Sequence, residues 1–342
     1  MKTYKLKLKA LSPIHIGTGE TYEPTNFIID KLDNADYLFE FNEIDFYKAL
    51  DNSKRGEFNS IVINPNANAR FKLYGFIYAN RQIAKQVSFR HTMVAPTLAQ
   101  DYRRKIGSVV QKEGGGRSVF NGFFVERTYI SPNTKSAVLL GSSLKGSIST
   151  AYQEWIYKRT KNYDNVKRQM LLPNDDNLFK SLLISDAVSM QSKTIINYAH
   201  NIKRNRETKA NLPIMIESIM PTSVFTASCT CKEPLKFDEI AASCNDHYLP
   251  IFKTLFDAAT DAYTIKSLSA QFAQHRNLQL AKNQFLLRVG KHSQARSVTV
   301  DGIRDIKIMQ GRSRPPKFGK EETTVWITMG YPFGWLLCEI ID

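Results

Sequence analysis

Apolar and polar residues alternate without a break from Tyr4 to Ala10, with Tyr4, Leu6, Leu8 and Ala10 on one side and Lys5, Lys7 and Lys9 on the other. A period of two predicts a half-buried strand with a basic outer face. Pro13, Gly17 and Gly19 then require a turn or bulge within Leu11–Glu20. Phe27–Asp30 and Tyr37–Phe41 read as short strands around a polar hairpin loop, and Ile44–Leu50 as a short helix begun by Asn42. Residues 52–136 are weakly patterned, with one helix around Phe76–Ala84 and a glycine-rich Lys112–Ser118 segment, and read as an insertion used for binding or one ordered only by a partner. The period changes to 3.6 after Leu139, where a Gly141-Ser-Ser turn leads into a helix carrying Leu144, Ile148, Ala151 and Trp155 on one face. Ser181–Met190 and Ile214–Ile219 read as strands, Val224–Cys231 as a strand pairing beside the latter, and Lys203–Lys209 as a hydrophilic hairpin tip or linker. Apolar residues recur at helical spacing between Asp238 and Ala281, with Pro250 starting or kinking the helix. Phe285–Gly290, Thr323–Met329 and Gly334–Ile340 return to β. No βαβ rhythm repeats, so the class is α+β.

Composition adds a partner. The 342 residues include 47 Lys and Arg against 32 Asp and Glu, a net charge of +15, at 42% hydrophobic content. That is a globular chain suited to a polyanion such as nucleic acid. Met1–Lys9 contains no apolar core of signal-peptide length and no apolar run is long enough to span a membrane. With four cysteines, the expected location is a reducing cytoplasm. Cys229, Cys231, Cys244 and His247 could be drawn together as a zinc site, but the Cys-x-Cys spacing is atypical, and buried free thiols are the expectation.

Three basic or glycine-marked turns follow strand ends: His15–Gly19, Gly141–Gly146 and Arg288–Ser297. Such junctions free backbone N–H groups to meet phosphates. The helix opening at Gly141 breaks two local rules. Lys145 puts positive charge in the first turn, and Gly146 stands where Ala would be better by roughly 1 kcal/mol. A bound anion would reconcile both, while the alternative is a Gly-Ser turn with a solvated lysine. Gly141–Gly146 is not an ATP-binding loop, because Ser147-Ile148 follows where Lys-Ser/Thr is required. Between Arg288 and Lys320 stand nine Lys and Arg against two acids, broken by glycines and prolines, which marks polyanion contact. His15 could be a general base or could hold a turn. Asp30, Asp33 and Asp36 could ligate a metal or line an ordinary hairpin loop. Tyr152, Tyr157, Tyr163 and Phe318 could stack on bases or belong to core and surface.

Leu11–Glu20, Gly141–Thr150, Leu286–Ser293 with Val298-Thr299, Phe333-Gly-Trp335, Ile184–Ala187 and Glu217…Phe225 occur in an order that resembles the RAMP superfamily of CRISPR-associated proteins. Within it, they resemble the fifth subunits of type III-A (Csm) effector complexes. The resemblance implies two ferredoxin-like (RRM-related) domains, 1–205 with an insertion at 52–136 and 206–342, and a glycine-rich loop near the C-terminus. It implies a non-catalytic subunit without cofactor or metal that caps the 3′ end of the complex in antiviral defence and CRISPR RNA maturation. Its partners would be the guide's 3′ region, the backbone and small Csm subunits and nearby target RNA, with no membrane. Carried onto this chain, the RNA-binding set is His15, Gly17, Gly141, Ser142, Ser143, Lys145, Gly146, Arg288, Gly290, Lys291, His292 and Arg296. Backbone relatives cut target RNA with a loop aspartate and a metal, and none of Asp30, Asp33 and Asp36 matches that aspartate. Leu140 departs from the family, where proline often precedes the Gly-Ser-Ser. The competing expectations are a metal-independent endoribonuclease acting on precursor CRISPR RNA through His15, and the equivalent cap of another type III complex.

Overall fold

A computed structural model of the chain describes all residues except 64–68, 113–117, 121, 173–176, 190–191, 204–211, 257–267, 310–314 and 342, and only the backbone of 109–112 and 118–120. The glycine-rich segment 113–117 and most of the 203–209 tip therefore lie outside the described residues. Two sheets organise the rest. The first orders Gln284–Arg288, Trp335–Ile340, Lys2–Ala10, Val224–Cys231, Ala187–Val188 and Val138–Leu139, with Leu182–Ile184 also beside Val224–Cys231. Every pairing in it is antiparallel. Leu6, Leu8 and Ala10 are buried and Lys5, Lys7 and Lys9 exposed, as the alternation requires. The buried face packs on the helices Gly141–Thr160 and Phe237–Lys253, which accommodates Pro250 internally, and Tyr4 stacks on Phe237 at 4.5 Å between ring centroids. An antiparallel sheet covered by two helices on one face is the ferredoxin-like plan that the family resemblance implies, within the α+β class read from the pattern.

The second sheet orders Gly17–Tyr22, Val125–Thr128, Ile214–Ile219, Thr194–Lys203, Ser88–Val94, Ala35–Phe41 and Phe27–Leu32. The far half of Thr194–Lys203 also pairs with Thr324–Thr328. Several expectations hold here. Phe27–Leu32 and Ala35–Phe41 form a hairpin turning at Asp33, and the helix Glu43–Ala49 is capped by Asn42, whose side chain accepts from the Ile44 N–H at 2.9 Å.

Others are corrected. Val224–Cys231 pairs with Lys2–Ala10 in the other sheet and not with Ile214–Ile219. Residues 52–136 are no appendage. Ser88–Val94 and Val125–Thr128 are internal strands of the second sheet, and Tyr74, Leu98, Tyr102 and Phe123 fill its core. A division at 205/206 cuts between two directly paired strands, Thr194–Lys203 and Ile214–Ile219, while the first strand belongs with the C-terminal ones. The chain ends interleave because the middle strand of the first sheet is the first in sequence.

A buried polar junction ties the two helices to the loop after Arg288. Glu154, on Gly141–Thr160, accepts from His247 Nδ1 at 2.8 Å, Lys158 Nζ at 2.7 Å and the Asp301 N–H at 2.8 Å. Burial alone would raise this carboxyl, but the hydrogen bonds and the neighbouring imidazole outweigh it, taking the pKa from 4.5 to about 2. A carboxylate whose pKa is depressed by folding contributes stability that is complete above its unfolded value and lost as pH falls towards its folded one. Chemical denaturation should therefore show a loss on the order of 3 kcal/mol between pH 4.5 and 2. Most of that slope should vanish in Glu154→Gln. An unchanged slope would remove Glu154 from the junction.

Candidate nucleic-acid interface

The three turns singled out in the sequence meet. Ile16 and Gly17 from the first, Leu140, Ser143 and Gly146 from the second, and Arg288, Gly290 and Lys291 from the third line one cleft of about 350 Å³. His15 holds the junction together. The ring is 1% exposed, and its Nδ1 donates to the Glu217 carbonyl at 2.7 Å, so the second sheet fixes its position. Its own carbonyl accepts from the Lys291 N–H at 2.9 Å. Gly290, at φ +81°, presses its Cα face against that same carbonyl, where a β-carbon would overlap His15. Burial lowers the pKa of His15, so the ring is neutral at pH 7. Its ring is buried and holds the turn against the second sheet.

The helix begins one turn earlier than expected, at Gly141 itself, with Leu140 as its N-cap. Lys145 is consequently the fifth helical residue, outside the first turn. Its Nζ donates to the Leu182 carbonyl at 2.7 Å, on the sheet side, and it is absent from the cleft lining. Partial burial lowers its pKa. The first amide is also taken. Gly141 N–H donates to Asp186 Oδ1 at 2.7 Å, so the anion at this helix terminus is the chain's own carboxylate. Gly141 itself is required by close approach, because a β-carbon would sit 2.5 Å from the Ile184 carbonyl oxygen. Ser142 is exposed outside the cleft.

What the helix offers the cleft is a smooth face. Ser143, Gly146, Ser147 and Thr150 follow one another at helical spacing along it. Gly146 is exposed, and a β-carbon there would meet nothing within 4 Å. Internal packing thus gives no reason for a glycine in mid-helix, whereas an approaching ligand does.

The basic residues of the third turn are mostly spent inside the protein. Arg288 is 1% exposed. Its Nε donates to the Phe333 carbonyl at 2.9 Å and its Nη1 to Gln294 at 2.8 Å, while the guanidinium lies 4.8 Å from the Trp335 ring centroid. Arg296 is buried against Glu322, Nε to Oε1 at 2.9 Å. His292 packs tilted against Trp326 at 4.4 Å between centroids, and burial, aided by the Lys291 charge, lowers its pKa to about 4. Arg304 pairs with Asp301 at 3.2 Å, and Arg312 and Arg314 lie outside the described residues. Lys291 alone of the basic set keeps its ammonium at the cleft, where both Glu126 oxygens accept from it at 2.7 Å.

Sequence reasoning missed Ser147, Thr150, Val298, Glu126 and Asp186. The small-residue spacing 143–146–147–150 was a visible signal for the first two, and the partners of Lys291 and Gly141 had none. The other candidates resolve separately. Asp30 pairs with Lys85 at 3.3 Å and Asp36 with Arg103 at 2.6 Å. Tyr152 is buried, Tyr157 and Tyr163 pack against the core, and Phe318 is exposed. The four cysteines are buried free thiols. Among the described residues no cluster of three or more His, Cys, Asp or Glu could hold a metal ion, and no helix is long and apolar enough to cross a membrane.

Gly290→Ala should lower stability by about 2 kcal/mol or more, because it adds positive-φ strain to the overlap with His15. Gly19→Ala is the control, since Gly19 shares the positive φ but a β-carbon there meets nothing within 4 Å. Equal losses in urea denaturation would contradict the contact.

Comparison with known proteins places this architecture. A Streptococcus thermophilus protein described as "CRISPR system Cms protein Csm5" is 27% identical over 240 residues, 64% of this chain, and the match spans 61% of that relative's length. A chain of the cryo-EM structure of a Csm–crRNA–target RNA ternary complex of a type III-A CRISPR–Cas system aligns with a TM-score of 0.64 at 16% identity, over 99% of this chain and 100% of that one. The crystal structure of T. onnurineus Csm5 aligns at 0.57 and 15% identity, over 96% and 99%. These structural likenesses establish a common fold. The sequence profile of the RAMP superfamily matches residues 7–265, and the chain belongs to that superfamily.

Proposed function

We propose that this chain is the Csm5-type subunit of a type III-A CRISPR effector complex, a non-catalytic RNA-binding protein that caps the guide at its 3′ end. The likeness to Csm5 proteins over nearly the whole fold supports the assignment. CRISPR RNA, the other Csm subunits and adjacent target RNA are the corresponding partners. The observation that carries the binding reading is Gly146: a mid-helix glycine facing open space in a cleft where three turns converge. The sugar-phosphate chain lies along Ser143–Thr150, with the Ser143 hydroxyl as a hydrogen-bond donor and the exposed Val298 as an apolar contact at the rim. Lys291 supplies the charge once phosphate replaces Glu126. The rival endoribonuclease would need His15 to reach a ribose hydroxyl, and its burial disfavours that.

RNA affinity measured against salt, with a metal-free cleavage assay on precursor CRISPR RNA, tests the reading. Lys291→Ala should flatten the log–log slope by roughly 0.7. Glu126→Gln should tighten binding, since it frees the ammonium. Gly146→Ala should move two quantities in opposite directions, raising stability by about 0.5–1 kcal/mol while weakening RNA binding. Cleavage abolished by His15→Ala in a still-folded protein would replace this reading with the endoribonuclease.

A further inference from the structure

The helix-free face of the first sheet has no role in the cleft. Lys5, Lys7 and Lys9 rise from its middle strand, all exposed, at every second residue, a step of about 6.7 Å. Across the ladder stand Ser228, Thr226 and Val224, also exposed. Beyond them Leu183 is 50% exposed and Val188 55%. Among the described residues the carboxylate opposite this row is Glu339, which pairs with Lys7 and stays 3.9 Å from its ammonium. The row ends at a cavity of about 630 Å³ lined by Val188, Lys193, Thr222, Val224 and Thr226. Thr222 holds φ at +71°, a conformation that β-branched residues rarely adopt, with its N–H donating to the Ala10 carbonyl at 2.8 Å.

We infer that this face is a second RNA contact: a single-stranded segment crosses the lysine row and seats one nucleoside in the cavity. The inference rests on the RNA-binding reading of the cleft and extends it. The chemistry of the cavity divides as a nucleotide does, with an ammonium for phosphate, hydroxyls for ribose and aliphatic walls for the base. No exposed aromatic stands on these strands, so the face lacks the stacking platform with which RRM sheets select bases. It reads backbone, independent of sequence. The two sites flank the same strands. Val138–Leu139 pairs with Ala187–Val188, so Leu140 at the cleft and Val188 at the cavity flank one sheet edge. The Ile14–Ile219 bridge likewise separates Ile16 in the cleft from Met220 in the cavity. RNA leaving the cleft rounds that edge onto the lysines.

Fluorescence anisotropy on the full chain, with labelled oligouridylates of two lengths, tests this. The short one fills only the cleft, and the other is several times longer. Replacing Lys5, Lys7 and Lys9 together by Ala touches only solvent-facing side chains. It should weaken the long oligonucleotide about tenfold at low salt and flatten its salt slope by about 2, while the short one binds as before. Val188→Trp, which fills the cavity, should weaken the long one alone. Gly146→Asp should weaken both, and if it weakens neither while the lysine variant still acts, the cleft reading fails and the sheet contact stands. Unchanged long-oligonucleotide affinity and slope in both sheet-face variants would overturn the inference and leave the face to an acidic protein partner.

Discussion

Gly290 lies against the carbonyl of His15 with nothing between them, and the cleft depends on that contact. The carbonyl accepts from Lys291, and the His15 ring is pinned to Glu217, whose carboxylate is itself held at 0% exposure by Tyr22, Thr194 and Arg90. The turn that ends the first strand is therefore fixed to the second sheet on one side and to the C-terminal strands on the other. Ser147 closes the third side, with its hydroxyl between the Tyr248 hydroxyl at 2.8 Å and the Arg288 carbonyl at 3.0 Å. The three turns form one rigid edge, and a rigid edge can hold an extended chain with little ordering of its own.

The charge of the chain is misleading as a map of its surface. The Arg288–Lys320 segment carries seven of the fifteen net positive charges, yet Arg288, Arg296 and Arg304 are buried braces of the loop that follows the strand. Removing arginines from water is tolerated because their rigid, many-donor heads reach backbone carbonyls, carboxylates and an aromatic face together. Lys307, Lys317 and Lys320 stay exposed among the described residues of the segment, and Lys291 is met by Glu126. In the proposed RNA-binding reading, phosphate displaces a carboxylate the protein already holds.

What was legible in the sequence was local. The alternation of Tyr4–Ala10, the Asn42 cap and the glycine turn after Arg288 are each dictated by neighbours within a few residues, and each stands where the pattern places it. The convergence of the turns at His15, Gly146 and Gly290 was readable only through the family resemblance. Errors came from pairings at long range. Val224–Cys231 prefers Lys2–Ala10 because both strands bury alternate apolar residues under the same two helices, and no signal near either one announces the other. Residues 52–136 seemed unpatterned because their core is built from Tyr and Phe spread over short elements, so neither period survives long enough to register. Lys145 is displaced by an expected helix start three residues too late, since a turn at Gly141 is the local reading, whereas its missing side chain serves contact with Ile184.

The central claim, that guide RNA runs through the junction of the three turns, is tested most directly by mapping ultraviolet crosslinks in the assembled, RNA-loaded complex by mass spectrometry. The account predicts RNA-bearing peptides from all three turns: Ile16–Gly17, Ser143–Thr150 and the Val289–Val298 loop. Crosslinks on this chain that avoid all three would contradict it.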